Sequence, residues 1–292
     1  MFDIDILIQQ VIYGLVIGSS YVLMAAGFSL IWGMVRVLNL AHGEFYMLGA
    51  YVAYYASSAL GFNPILSSLA AIMIIFFFGV LFERSLISPI YGKKGWETNT
   101  VLITVGASIL IQNLALVVFG EKYKGLPQYF EGDLEIWKVF LSYDRLVVFL
   151  VGSFLTVFLW YFMKYTRTGM AMRAVSQNRE GASLAGVNVR KVFYLAFGLS
   201  AAFAAAAGAL LAPIFFVYPT VGAAPLLMAF AIVIFGGLGS VKGAIYAGFL
   251  VGVLESLIVL FVSSAWKDVF VFILVIVILA VRPRGLFGIR EE

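Results

Sequence analysis

Few residues of this chain could do chemistry, and most of them sit where an apolar sequence should not carry them. Arg36, Asn39, His42 and Glu44 fall within the single stretch Arg36-Val-Leu-Asn-Leu-Ala-His-Gly-Glu44, and His42 is the only histidine. Glu255 stands alone in a long apolar run. An ionisable group at membrane depth costs at least about 2.5 kcal/mol on insertion scales, so it faces protein or water and marks a solute or ion path by default. Asn39, His42, Glu44 and Glu255 are therefore candidate pathway residues, suited to touching a substrate ammonium group or to relaying a proton. Asn39 and Gly43 also suit a broken helix, whose freed backbone groups are tolerated only beside a cavity or inside protein. A plainer alternative stands beside each. The 36–44 stretch reads equally as a turn with polar caps, a snorkelling Arg36 and a solvated His42. Glu255 reads equally as a structural group paired with His42 or a backbone donor, and Glu83-Arg84 as a snorkelling or structural pair at a span end.

Other chemistries are excluded by composition. With no cysteine there is no disulfide and no thiolate metal site, and neither a metal-ligand spacing nor a nucleophile constellation occurs. Gly236, Gly237, Gly239 and Gly243 have a superficial likeness to a phosphate-cradling loop. No Gly-x-x-x-x-Gly-Lys-Ser/Thr string exists, however, so a nucleotide site of that type would belong to another protein. The cluster suits a tight turn and close helix packing.

The elements that must position these residues are membrane helices. Hydrophobic residues make up 63% of the chain and charged ones 12%, against about a quarter charged in soluble domains. Ile6–Val35 and Val192–Val241 carry no charge at all. Spans of about 20 residues fit at 6–34, 42–60, 65–90, 99–119, 146–163, 192–215, 222–240, 243–262 and 267–281, the second of them only partial. The expected fold is an all-α polytopic bundle of eight to nine transmembrane segments, a single domain over 1–292 with an external loop at 120–145. Basic residues collect at Arg84-Lys93-Lys94, in 164–191 and at Arg282, Arg284 and Arg290. The opposite side has Asp3, Asp5 and a loop with five acids against four bases. The charge bias puts the N-terminus outside and the C-terminus in the cytoplasm. The net charge of +4 reflects these loops and not a nucleic-acid surface. The start lacks the basic region of a cleavable signal peptide.

The 164–191 loop holds six basic residues against one acid, Glu180. Within it Asn178 is a good N-cap, Glu180 sits where the helix dipole favours an anion, and Gly186 is a natural stop. A helix of about two turns is marginal alone in water, so this one needs something to dock on. Ala182 and Ala185, three apart, would share a face that a partner can approach.

The run Glu180-Gly181-Ala182 with Gly186 resembles the coupling segment of ABC importer permeases. Gly27-Phe-Ser-Leu-Ile-Trp-Gly33 and Asn39-Leu-Ala-His-Gly-Glu-Phe-Tyr-Met-Leu-Gly-Ala-Tyr51 extend the likeness, with Phe82-Glu-Arg84 and Arg167-Thr-Gly-Met-Ala-Met-Arg173-Ala174. Asn178 to Asn188, Gly236-Gly-Leu-Gly-Ser240 with Gly243-Ala244, and Arg282-Pro-Arg-Gly-Leu-Phe-Gly288 complete it. Together they resemble the smaller permease subunit of branched-chain amino acid ABC importers. Related permeases for urea and short-chain amides share these signatures. The resemblance implies an ATP-driven importer in a bacterial or archaeal plasma membrane. Its partners would be a second, homologous permease, two cytoplasmic ATPases that bind ATP and magnesium, and an extracytoplasmic amino-acid-binding protein. Arg173, Asn178, Glu180, Ala182, Ala185 and Gly186 would couple to the ATPases, and the chain itself would hold no cofactor. A self-contained secondary transporter using Glu255, Glu44 and His42 as a relay is the alternative of a different class.

Overall fold

A computed structural model describes residues 4–136, 139–282 and 285–288. Asp3, Arg284 and Arg290, used above for orientation, lie outside the described residues. In chain order the helices are α1 (Ile4–Val35), α2 (His42–Ser58), α3 (Pro64–Phe82, continued by a π-helical turn Glu83–Ile87) and α4 (Trp96–Phe119). After the strands β1 (Asp133–Ile136) and β2 (Val139–Ser142) come α5 (Tyr143–Tyr165), α6 (Arg167–Gln177), α7 (Arg179–Leu184), α8 (Val189–Leu211), α9 (Ala223–Gly236), α10 (Val241–Phe261) and α11 (Lys267–Val281). Local chemistry sets many of the starts. Asn63, Asn188 and Ser240 cap α3, α8 and α10 through their side chains, and Pro64 follows its cap at the position where a missing amide costs nothing.

Seven helices among the described residues are long and apolar enough to cross a membrane. They are sorted by depth in the molecule. The spans of α1 and α8 are 83% buried and form the centre, whereas α4 and α11, at 17% and 11%, are outer helices. Of the nine expected segments, those at 42–60 and 222–240 form shorter helices, α2 (17 residues) and α9 (14 residues).

Those two begin inside the bundle. At the end of α1 the Met34 carbonyl accepts from Arg179, on the face that carries α6 and α7. The chain then turns back through residues 36–41, and His42 at the start of α2 bonds the carbonyl of Met24. Met24 lies ten residues before Met34, about 15 Å of helix rise and half of a ~30 Å hydrocarbon core. From there α2 runs to the opposite face, where Tyr51 stacks on Phe119 at the end of α4. The second case is inverted. The chain leaves α8 at that opposite face, where Val217 pairs with Lys124, and descends without helix to Gly222. There Gly222 meets Gly43 backbone to backbone. From that point α9 returns to the α6–α7 face, where Gly236 packs on Gly243. Two half-helices thus start at one mid-depth contact and leave it in opposite directions. The matching Ile31-Trp-Gly33 and Ile234-Phe-Gly236 lie at the same face, one at the end of α1 and the other at the end of α9.

The loop at 120–145 is an antiparallel β-hairpin, with Asp133 opposite Ser142. It is tied down on α1: the Tyr13 hydroxyl donates to the Phe140 carbonyl (3.0 Å) and the Arg145 guanidinium lies 4.0 Å above the Tyr13 ring. Tyr129 anchors the preceding stretch through Ser68 (2.8 Å) and the Ala209 carbonyl (3.2 Å), and burial pushes its phenol up to about 12.

Candidate functional site

The polar stretch 36–44 is neither a solvated turn nor an open cavity wall. Asn39 folds it: its side-chain oxygen accepts the Ala41 amide (3.1 Å) and its carbonyl accepts the His42 amide (3.2 Å). Arg36 is the only non-glycine residue with a left-handed backbone (φ 54°) among the described residues, and marks where the chain reverses. Thr104 of α4 holds the reversal by accepting from the Leu40 amide (3.3 Å), while its own proton goes to the Val101 carbonyl (2.9 Å).

His42 is fully buried. Its Nε2 lies 3.0 Å from the Met24 carbonyl, which can only accept, so Nε2 carries a proton. In the neutral ring Nδ1 is then the acceptor for the Ser200 hydroxyl of α8, at 3.3 Å. Phe28 and Phe45 pack edge-on against the ring. Glu44 takes a bond from Ser108 of α4 (2.9 Å), and only 5% of the residue is exposed. Asn39, His42 and Glu44 therefore lie at one depth but face different neighbours, His42 towards α1 and α8 and Glu44 towards α4.

Glu255 does not join them. It sits in the last turns of α10 and forms an ion pair with Lys267 at the start of α11. Its partner is that lysine and not His42. Glu255 is buried within α10, six residues before its end at Phe261, and its pairing with Lys267 replaces the expected pairing with His42. The Glu83-Arg84 pair also separates. Glu83 is buried and lines a cleft of about 170 Å³ with Arg190 and Tyr91, while Arg84 is exposed.

The second part of the site is α7. Asn178 caps it, its Oδ1 accepting the Gly181 amide at 2.8 Å. Glu180 is in the first turn. The stop is a Schellman arrangement: the Gly186 amide bonds the Ser183 carbonyl and the Val187 amide the Ala182 carbonyl, both at 3.0 Å, with Gly186 at φ 85°. Ala182 and Ala185 do not share an open face. Ala182 is 6% exposed, covered by its own chain, and Ala185 is exposed. The short helix turns Ala182 inward and leaves Ala185 outside, which a helical wheel alone cannot reveal. Arg173 stands apart on α6, donating to the Lys164 carbonyl at 3.2 Å.

Two residues that sequence reasoning passed over complete α7. Leu184 is 91% exposed, a large apolar side chain held out from the polar connection. Arg179 reaches back to the bundle. Its Nε and Nη2 donate to the Met34 carbonyl (3.1 and 2.7 Å), and its guanidinium lies 5.3 Å from the Trp96 ring centre, with Tyr91 and Phe193 just under 6 Å away. A signal for Arg179 was present. A cation in the first turn of a helix opposes the dipole, so it needs a compensating partner from elsewhere.

The glycine cluster behaves as a turn. A Cβ on Gly236 would lie 2.4 Å from the Gly243 carbonyl oxygen, and Gly237 and Gly239 have φ of 105° and 80°. Described residues near the C-terminus close over it, the Leu286 and Phe287 amides bonding the Phe235 and Gly236 carbonyls (2.9 and 3.0 Å).

A family model described as the permease component of a branched-chain amino acid transport system matches residues 10–279. The chain is 33% identical to the high-affinity branched-chain amino acid transport system permease protein LivH of Salmonella typhimurium, over 97% of this chain and 96% of that protein. It is 33% identical to the corresponding permease protein BraD of Pseudomonas aeruginosa, over 97% and 96%. The fructose import permease protein FrcC of Rhizobium meliloti is 27% identical over 96% of this chain and 77% of that protein. No solved structure matches the chain.

Proposed function

The chain belongs to the family of branched-chain amino acid transport system permeases, and on that premise we propose that it is the membrane subunit of an ATP-driven importer of leucine, isoleucine and valine. In this reading it supplies half of the translocation path and a second, homologous permease the other half. Two cytoplasmic ATPases bind ATP and magnesium, and an extracytoplasmic binding protein delivers the solute. The α6–α7 face is cytoplasmic, because its connection carries six basic residues against one acid. The N-terminus then lies outside and the C-terminus inside, in a bacterial or archaeal plasma membrane.

The observation that carries the reading is α7: a helix capped at both ends that holds Leu184 out into water. A helix this short is marginal alone in water, so one held by caps at both ends with a leucine facing outward suits a partner surface. Arg179 gives the docked helix a grip on the end of α1. A push on α7 reaches the Met34 carbonyl directly, and with it the 36–41 reversal and the mid-depth contact of α2 with α9. Alternating access then needs two packings of that contact, biased by ATPase closure at a distance. A proton relay through Glu255, Glu44 and His42 lacks continuity, since each is bonded to a different neighbour.

The test is Leu184→Asp in the complete assembly. The variant inserts at normal levels, the ATPases no longer copurify, and leucine uptake falls at least tenfold. Wild-type copurification and uptake would move the docking surface elsewhere. Which of leucine, urea, an amide or a sugar stimulates ATP hydrolysis by the purified assembly decides the solute.

A further inference from the structure

At the cytoplasmic membrane surface a cleft of about 350 Å³ opens where the last turns of α1 and α5 meet α6 and the start of α10. Lys164, Arg173 and Lys242 line it, and no acid among the described residues does. Lys242 opens α10, where Ser240 caps the Gly243 amide at 3.1 Å. The first-turn amides of Val241 and Lys242 thus have no intrahelical acceptor, and the positive end of the helix dipole points at the cleft. Three cations lining one cleft beside the start of a helix suit an anion with several acceptor oxygens.

The rest of the cleft is apolar. Leu30, Met163 and Met172 line it, and Trp160 stands at its edge with the Lys164 ammonium 4.8 Å above its ring. From Trp160 the outer side of α5 continues with exposed Phe158 and Tyr161, a surface that suits an acyl chain. We propose that this cleft binds the phosphate of an anionic phospholipid, its headgroup held by Lys164, Arg173 and Lys242 and its chain lying along α5. The depth fits, because span ends lie at headgroup level. A soluble anion would satisfy the cations and leave the apolar side without a role. The proposal does not depend on which solute is transported.

Thermal unfolding of the purified full assembly in mild detergent tests it, with phosphatidylglycerol, phosphatidylcholine or inorganic phosphate added. Phosphatidylglycerol raises Tm by about 5 °C, and phosphatidylcholine and millimolar phosphate do not. The double substitution Lys164→Ala, Lys242→Ala abolishes the shift. Lys242→Gln alone, at an exposed site, at least halves it. Lys93→Ala, Lys94→Ala, which removes equal charge elsewhere on the same face, leaves it intact. Equal shifts with both lipids, a shift reproduced by phosphate alone, or a shift that survives the Lys164/Lys242 double substitution would each overturn the proposal.

Discussion

Glycine sits at the decisive point of two regions here, for opposite physical reasons. At the mid-depth contact, a Cβ on Gly222 would stand 1.9 Å from the Gly43 carbonyl oxygen, and one on Gly43 2.6 Å from that of Gly222. Space is the constraint, and the obstacle is backbone, which cannot rotate away. At the end of α7 nothing lies within 4 Å of a Cβ on Gly186; only its φ of 85° is demanding. The first region is locked by its neighbours and tolerates no added atom. The second is locked by its own hydrogen bonds and leaves its outer side open for something else to cover. The proposed importer, which would change shape inside while holding a constant handle outside, needs both kinds of construction.

The largest effect is expected at the locked region. Gly222→Ala forces two backbones apart and costs on the order of 3 kcal/mol, lowering Tm of the purified assembly by about 10 °C. An alanine variant with unchanged Tm and uptake would break the comparison, since the contact would then have room to give. Arg179, which joins the two regions, comes next. Arg179→Lys keeps the charge and loses the forked donation to Met34. The ATPases still copurify and hydrolyse ATP, but uptake per ATP falls about tenfold, the worth of one charge-assisted bond. A coupling ratio equal to wild type would mean that Arg179 only steadies α7. The smallest effect belongs to the open region. Gly186→Ala costs about 1 kcal/mol of backbone strain and lowers uptake by no more than about fivefold. Loss as severe as that of Gly222→Ala would show that Gly186 is held by contact as well as by conformation.

What could be read from the residues alone follows the range of the forces involved. The caps at Asn178 and Gly186 were legible because they close over three to five residues. The seven long apolar helices were legible among nine expected segments because lipid selects apolar length. The two half-helices were not, since 42–60 and 222–240 are apolar enough to span. Only the close approach of Gly43 and Gly222, far apart in sequence, reveals where they begin. Asn39 and Gly43 did suggest a broken helix, and the structure breaks there. The partner of Glu255 and the burial of Ala182 were hidden because both depend on how helices pack after they form. Arg179 was the most accessible omission, a cation placed against a helix dipole.

The contact between Gly43 and Gly222 also bears on how the chain is made. Translation at 5–20 residues per second separates their emergence from the ribosome by roughly 10–40 s. For most of that interval, until residues 189–211 have been made, α2 has no α8 to rest on, and α9 comes later still. His42 has neither the Ser200 hydroxyl nor the wall of α8 around it, and the 36–41 reversal has only α1 and then α4 for company. Until α8 is made, the start of α2 has only α1, α3 and α4 to cover its polar backbone. Its contacts at mid-depth are complete only when the second half arrives.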